Sequence, residues 1–129
     1  MQDRPSAREL LEAVEHFLED DLMPGLEGPK QYHARVAANV MRILAREIEL
    51  GPGFLRAEWR RLAELLGEAG DSLPEEAALP DAVRRLNVSL CEKIRRGDAD
   101  RGPWRERVLA HVRKTVEEKL AIAKPEMLK

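Results

Sequence analysis

The residues of this chain best suited to chemistry are charged and polar side chains at helical spacings where apolar ones are expected. His33 and Glu47 fall in the arc of Val36, Val40, Ile43 and Leu44 on one predicted helix. Lys119 continues the arc of Val108, Val112 and Val116 on another, and Asp21 follows Phe17 and Leu18 by one turn on a third. Asn39 lies at the margin of the first arc. A buried charge costs several kcal/mol unless it is paired, so these residues should find partners or neutralise. His33 and Glu47 stand about 21 Å apart along one helix and cannot share a site within it. Lys119 is expected to meet a carboxylate from another helix; Asp21, Glu47 and Glu92 are the candidates, Glu47 and Asp21 foremost. His33, Asn39 and Lys119 are the side chains that would line an interhelical ligand pocket. Each also has an ordinary reading. His33 follows a Gly-Pro turn and suits a hydrogen bond to a loop carbonyl, Glu47 and Lys119 can snorkel, Asp21 can meet a neighbouring cation, and Asn39 can bond at a core margin.

Most reaction types lack the residues they need. A carboxylate-bridged metal bundle wants Glu three residues before His, but Ala13, Lys30 and Val108 occupy those positions. Cys91 is alone, which excludes an intrachain disulfide and a multi-cysteine zinc site; beside Leu90 and Ile94 it reads as a small buried or half-buried hydrophobe. Leu50-Gly51-Pro52-Gly53-Phe54 matches neither phosphate-binding glycine pattern, and only the backbone amides of the next helix could hold an anion there. Arg56, Arg60, Arg61, Arg84, Arg85, Arg95 and Arg96 are interleaved with acids or lie on solvated faces. With two Trp, two Phe and one Tyr, stacking platforms for bases are lacking as well. No catalytic residue, metal, cofactor or nucleic-acid partner is expected.

The elements that must position these side chains are clearly punctuated. Ser6-Ala7-Arg8-Glu9 reads as a capping box opening a helix with Leu10, Leu11, Val14, Phe17, Leu18 and Leu22 on its apolar side, stopped at Met23-Pro24-Gly25. Gly28-Pro29, Gly51-Pro52 and Gly102-Pro103 each mark a boundary, with glycine closing one segment and proline opening the next. The spacing predicts further helices over about 30–50, 54–68, 81–96 and 103–123, separated by a connection over 67–80 with room for one short turn and a polar loop over 97–102. The third helix faces inward through Leu55, Trp59, Leu62, Ala63 and Leu66, the fourth through Val83, Leu86, Leu90 and Ile94. Phe54, Leu65, Val88, Met127 and Leu128 are left pointing partly outward. Nothing alternates with period two. The fold class is all-α, a bundle of four to five major helices in a single domain over 1–129.

Composition sets the outer bounds. The 129 residues carry 22 basic and 24 acidic side chains for a net charge of −2, interspersed rather than blocked. The N-terminus lacks the basic start and apolar run of a signal peptide, and no apolar stretch approaches a membrane span. A soluble, cytoplasmic protein is expected. Sixteen Arg against six Lys, with two Asn, two Gln and one Cys, fits either a thermophile or a GC-rich genome.

Four stretches together resemble a bacterial family of small all-helical proteins of unknown function. They are Arg4-Pro5-Ser6-Ala7-Arg8-Glu9-Leu10-Leu11, Tyr32-His33-Ala34-Arg35-Val36-Ala37-Ala38-Asn39, Leu86-Asn87-Val88-Ser89-Leu90-Cys91 and Lys119-Leu120-Ala121-Ile122-Ala123-Lys124-Pro125. The resemblance implies genes encoded beside acyl-CoA dehydrogenases and aminoglycoside-phosphotransferase-like kinases, hence an accessory role in acyl or hydroxyacyl metabolism, and it transfers no catalytic residue. Two functions remain. One is a non-enzymatic helical accessory or interaction module, with a protein partner or a second copy; the other is a small-molecule-binding bundle or minor enzyme using His33, Asn39 and Lys119.

Overall fold

The computed structural model describes residues 3–68 and 70–129. Helix α1, Ala7–His16, opens with half of the expected capping box: the Ser6 hydroxyl accepts from the Glu9 amide at 3.2 Å, while the Glu9 carboxylate accepts from that hydroxyl, also at 3.2 Å, rather than from the Ser6 amide. The helical path then widens into a π turn over Phe17–Leu22 and tightens into a 3-10 turn at Met23–Gly25. Helix α2 spans Pro29–Leu65. A 3-10 turn at Glu76–Ala78 leads into α3, Leu79–Arg95, followed by α4, Pro103–Ala123, and a final 3-10 turn at Pro125–Leu128. No strand occurs among the described residues, and the all-α class holds.

One expected boundary is absent. Gly51-Pro52 lies inside α2, so the second and third predicted helices are one helix of 37 residues. The glycines of the other two pairs adopt positive φ, +63° at Gly28 and +93° at Gly102, whereas Gly51 does not. Proline mid-helix removes one backbone donor and crowds the carbonyl four residues back, but a helix made in tertiary contacts can absorb that loss. The Gly-Pro pair nevertheless marks a division. The chain forms two compact units, one running up to Gly51 and rejoined by Ala121–Met127, the other comprising Pro52–Leu120.

The second unit holds the hydrophobic core. Trp59, Leu62, Ala63 and Leu65 of α2 cluster with Leu79, Ala82, Val83, Leu86 and Leu90 of α3 and Val108 of α4, flanked by Leu55, Leu66, Ala99 and Trp104. Leu65 is therefore inside, not outward as its spacing suggested, while Ile94 and Cys91 are exposed. Helix α2 ends in a Schellman motif at Gly67 (φ +79°), where Glu68 N–H reaches the Ala63 carbonyl at 2.6 Å and Gly67 N–H the Glu64 carbonyl at 3.3 Å. The same closure recurs at Gly97 (φ +93°), the end expected for α3.

In the first unit the only residues buried are Ala34, Ala38 and Ala45, among those described. They form one face of α2, flanked by Arg42 and Glu49, which tie α1 and its π turn to α2. Arg42 Nε bonds Glu15 at 2.9 Å and its Nη2 bonds Glu19, while Arg8 Nη1 bonds Glu49 at 2.6 Å. Of the arc expected to be core, Val36, Val40 and Leu44 look outward, each 42% exposed, and Ile43 is half-buried; Ile48, one turn on, is 49% exposed. On α1 and its π turn, Leu10, Val14 and Phe17 are exposed too, leaving Leu11, Leu18 and Leu22 half-buried.

Because α2 is continuous through Gly51-Pro52, Pro52→Ala restores a missing helical hydrogen bond and should stabilise the protein by about 1–3 kcal/mol in urea denaturation. Were Pro52 the first residue of a separate helix, the same change would be neutral or destabilising.

Candidate functional site

Helix α4 turns a polar stripe inward. Trp104, Val108, His111, Thr115, Glu118 and Ile122 recur at alternating spacings of four and three, the heptad pattern that keeps one seam facing a neighbour. Trp104 Nε1 donates to the Leu65 carbonyl at 3.1 Å, satisfying an acceptor left over at the end of α2. Farther along the seam, His111 (6% exposed) and Glu118 (8%) are the buried polar residues, and Arg61 of α2 joins them. The Arg61 guanidinium donates from Nη2 to Glu118 Oε1 at 2.6 Å and to Thr115 Oγ1 at 3.1 Å, and from Nε to His111 Nδ1 at 3.4 Å. Thr115 in turn donates to the His111 carbonyl at 3.0 Å. Beside this network Asn87 of α3 donates to Glu58 of α2 at 3.0 Å.

The network also decides protonation. Burial pushes the His111 imidazole below its ordinary pKa of 6.5, and the Arg61 cation pushes the same way, against the weaker pull of Glu58 and Glu118. With Nδ1 accepting from Arg61, the ring is neutral and carries its proton on Nε2. Arg61 and Glu118 neutralise each other, so the arrangement locks α2 to α4 and directs neither a free base nor a free cation at a substrate. No group of three or more His, Cys, Asp or Glu side chains able to hold a metal occurs among the described residues.

The first unit carries an open groove of about 490 Å³ lined by Glu19, Met23, Arg35, Val36, Asn39 and Arg42. Asn39, exposed rather than at a core margin, is thus at a recess with two arginines and a carboxylate. His33, exposed beside Tyr32 with ring centroids 5.7 Å apart and edge to face, points from another face of α2. Arg46 Nε closes the far end of α4 by donating to the Ile122 carbonyl at 2.6 Å.

Lys119 belongs to the second unit and is exposed. The burial that would have obliged Lys119 to find a carboxylate is absent: Lys119, Glu47, Asp21 and Glu92 are each exposed, and Glu118, next to Lys119 in sequence, takes the buried position. Helix α4 is rotated by roughly a quarter turn from the orientation that Val108, Val112 and Val116 suggested, so Val112, Val116 and Leu109 look outward. The Arg61 partnership escaped the sequence reading because Arg61 adjoins Arg60 and resembles a solvated cation. The heptad spacing from Trp104 to Glu118 was the signal that could have found it.

These features define an all-helical protein with an internal polar network and, on α2, an outward row of apolar side chains. The chain belongs to the family described as Domain of unknown function (DUF6285), which matches residues 24–127. No curated protein and no solved structure matches it.

Arg61→Met leaves Glu118 buried without its cation and should cost about 2–4 kcal/mol in urea denaturation. Adding Glu118→Met should recover most of that loss, because an apolar pair leaves no charge unmatched. For His111 the unfolded state binds a proton near pH 6.5 while the folded state resists it. Its contribution is therefore fully present above that pH and falls as pH drops through 6.5 toward the lower folded value. His111→Asn should flatten that part of the stability profile, measured as urea midpoints between about pH 5 and pH 7.5.

Proposed function

We propose that this chain is a non-enzymatic helical accessory protein whose work is to associate with protein, not to transform a substrate. The observation that carries this reading is the outward row Val36, Val40, Leu44 and Ile48 on a unit that buries nothing larger than alanine. Single exposed apolar residues are ordinary on any surface, but a continuous helical row of them marks an association face. We read the chain as one helical domain, since the matched region 24–127 runs through both units. No described helix is long and apolar enough to cross a membrane. The gene neighbourhood implied by the resemblance suits a bacterial, cytoplasmic accessory role beside acyl-CoA dehydrogenases.

A second reading rests on the groove. Asn39 offers an amide beside Arg35 at this recess, whose other cation, Arg42, is already bonded to Glu15 and Glu19. His33 and Lys119 are not among the residues lining this groove, so this reading depends on Asn39.

Native mass spectrometry of the purified protein separates the two. An assembly above the monomer mass of 14.7 kDa is the expected result. A strict monomer carrying one stoichiometric small molecule would replace the first reading with the second.

A further inference from the structure

The outward face of α2 is self-complementary. His33, Val40 and Glu47 recur at intervals of seven and form one row nearly parallel to the helix axis. Val40 stands at the middle of that row, with a cationisable ring about 10 Å to one side and a carboxylate about 10 Å to the other. Val36 and Leu44 lie four residues either side of it, and Ala37 and Ile43 three. All three members of the row are exposed in the single chain.

We propose that this face is covered by a second copy of the chain, packed antiparallel with the two-fold axis at Val40. The proposal rests on the reading of the chain as an association module and names the occupant. In that register each residue meets the one equally far beyond Val40 on the other copy. Val36 meets Leu44, the small Ala37 meets the larger Ile43, Val40 meets itself, and each His33 meets a Glu47. An isologous contact of this kind requires just such reciprocal pairing. The opposite, parallel arrangement sets Glu47 against Glu47, a like-charge juxtaposition that disfavours it. An imidazole and a carboxylate on an apolar arc, too far apart to meet within one helix, are thereby matched twice over. The first unit, whose own buried residues are three alanines, gains large apolar neighbours at the same time.

The register is tested by cysteine cross-linking in a Cys91→Ser background, which removes the exposed native thiol. Val40→Cys should give a covalent dimer on mild oxidation, because the two-fold axis brings position 40 against itself. Val36→Cys alone should not, whereas Val36→Cys with Leu44→Cys should. Sedimentation gives the energetic counterpart. His33→Glu should weaken dimerisation by about tenfold or more, and His33→Glu with Glu47→Arg should restore it, with circular dichroism unchanged because both positions are exposed in the monomer. A protein that assembles by native mass spectrometry but yields no covalent dimer from Val40→Cys, or no rescue by the charge exchange, overturns the antiparallel second copy and leaves the association reading standing. A protein monomeric at all concentrations and free of protein partners overturns both.

Discussion

Helix α2 has to serve two compact units with one uninterrupted ribbon of side chains, and the remainder of the fold follows from how it does so. Before Gly51 it buries an alanine face; after Pro52 it buries Trp59, Leu62, Ala63 and Leu65. Proline at the changeover leaves one helical carbonyl without its donor, a loss that the burial of several large side chains beyond it outweighs. The C-terminal end is then heavily satisfied, by the Schellman closure at Gly67 and by the Trp104 indole on the Leu65 carbonyl. Those bonds bring α4 to the end of α2 and set the rotation at which α4 packs.

That rotation explains the buried charges. Heptad spacing puts Trp104 and Val108 on one seam, and α4 packs with that seam inward, the Trp104 indole bonded to the Leu65 carbonyl and Val112 and Val116 left outside. His111, Thr115 and Glu118 follow Trp104 into the interior because heptad spacing puts them on its seam. Desolvating Glu118 and Arg61 is costly, and the cost is offset because the guanidinium bonds carboxylate, hydroxyl and imidazole together. Such a network contributes less to net stability than to fixing one alignment of α2 against α4, since any other register strands a charge.

The two units therefore differ in kind. The Pro52–Leu120 unit carries an apolar core and a saturated polar lock, and its chemistry is turned upon itself. The unit preceding it is held by the arginine–carboxylate ties of Arg8 and Arg42, half exposed and individually weak, over a face of alanines. Among the described residues the buried polar side chains, His111 and Glu118, belong to the second unit, while the first buries only alanines.

Local signals were legible without the structure. The capping box at Ser6, the closures at Gly28, Gly97 and Gly102, the limits of α4 and the inward set of Leu55, Trp59, Leu62, Ala63 and Leu66 all follow from backbone and capping chemistry acting within a few residues. The amphipathic arc of α2 was legible too, but whether it faces its own chain or the outside is not a local property. Periodicity reports that a face is apolar and is silent about what covers it. Tertiary structure alone decided that Gly51-Pro52 is crossed by a helix, that Glu118 and not Lys119 is buried, and that Arg61 is its partner. Each of these depends on a neighbour far along the chain, and spacing within one helix leaves such faces nearly equivalent.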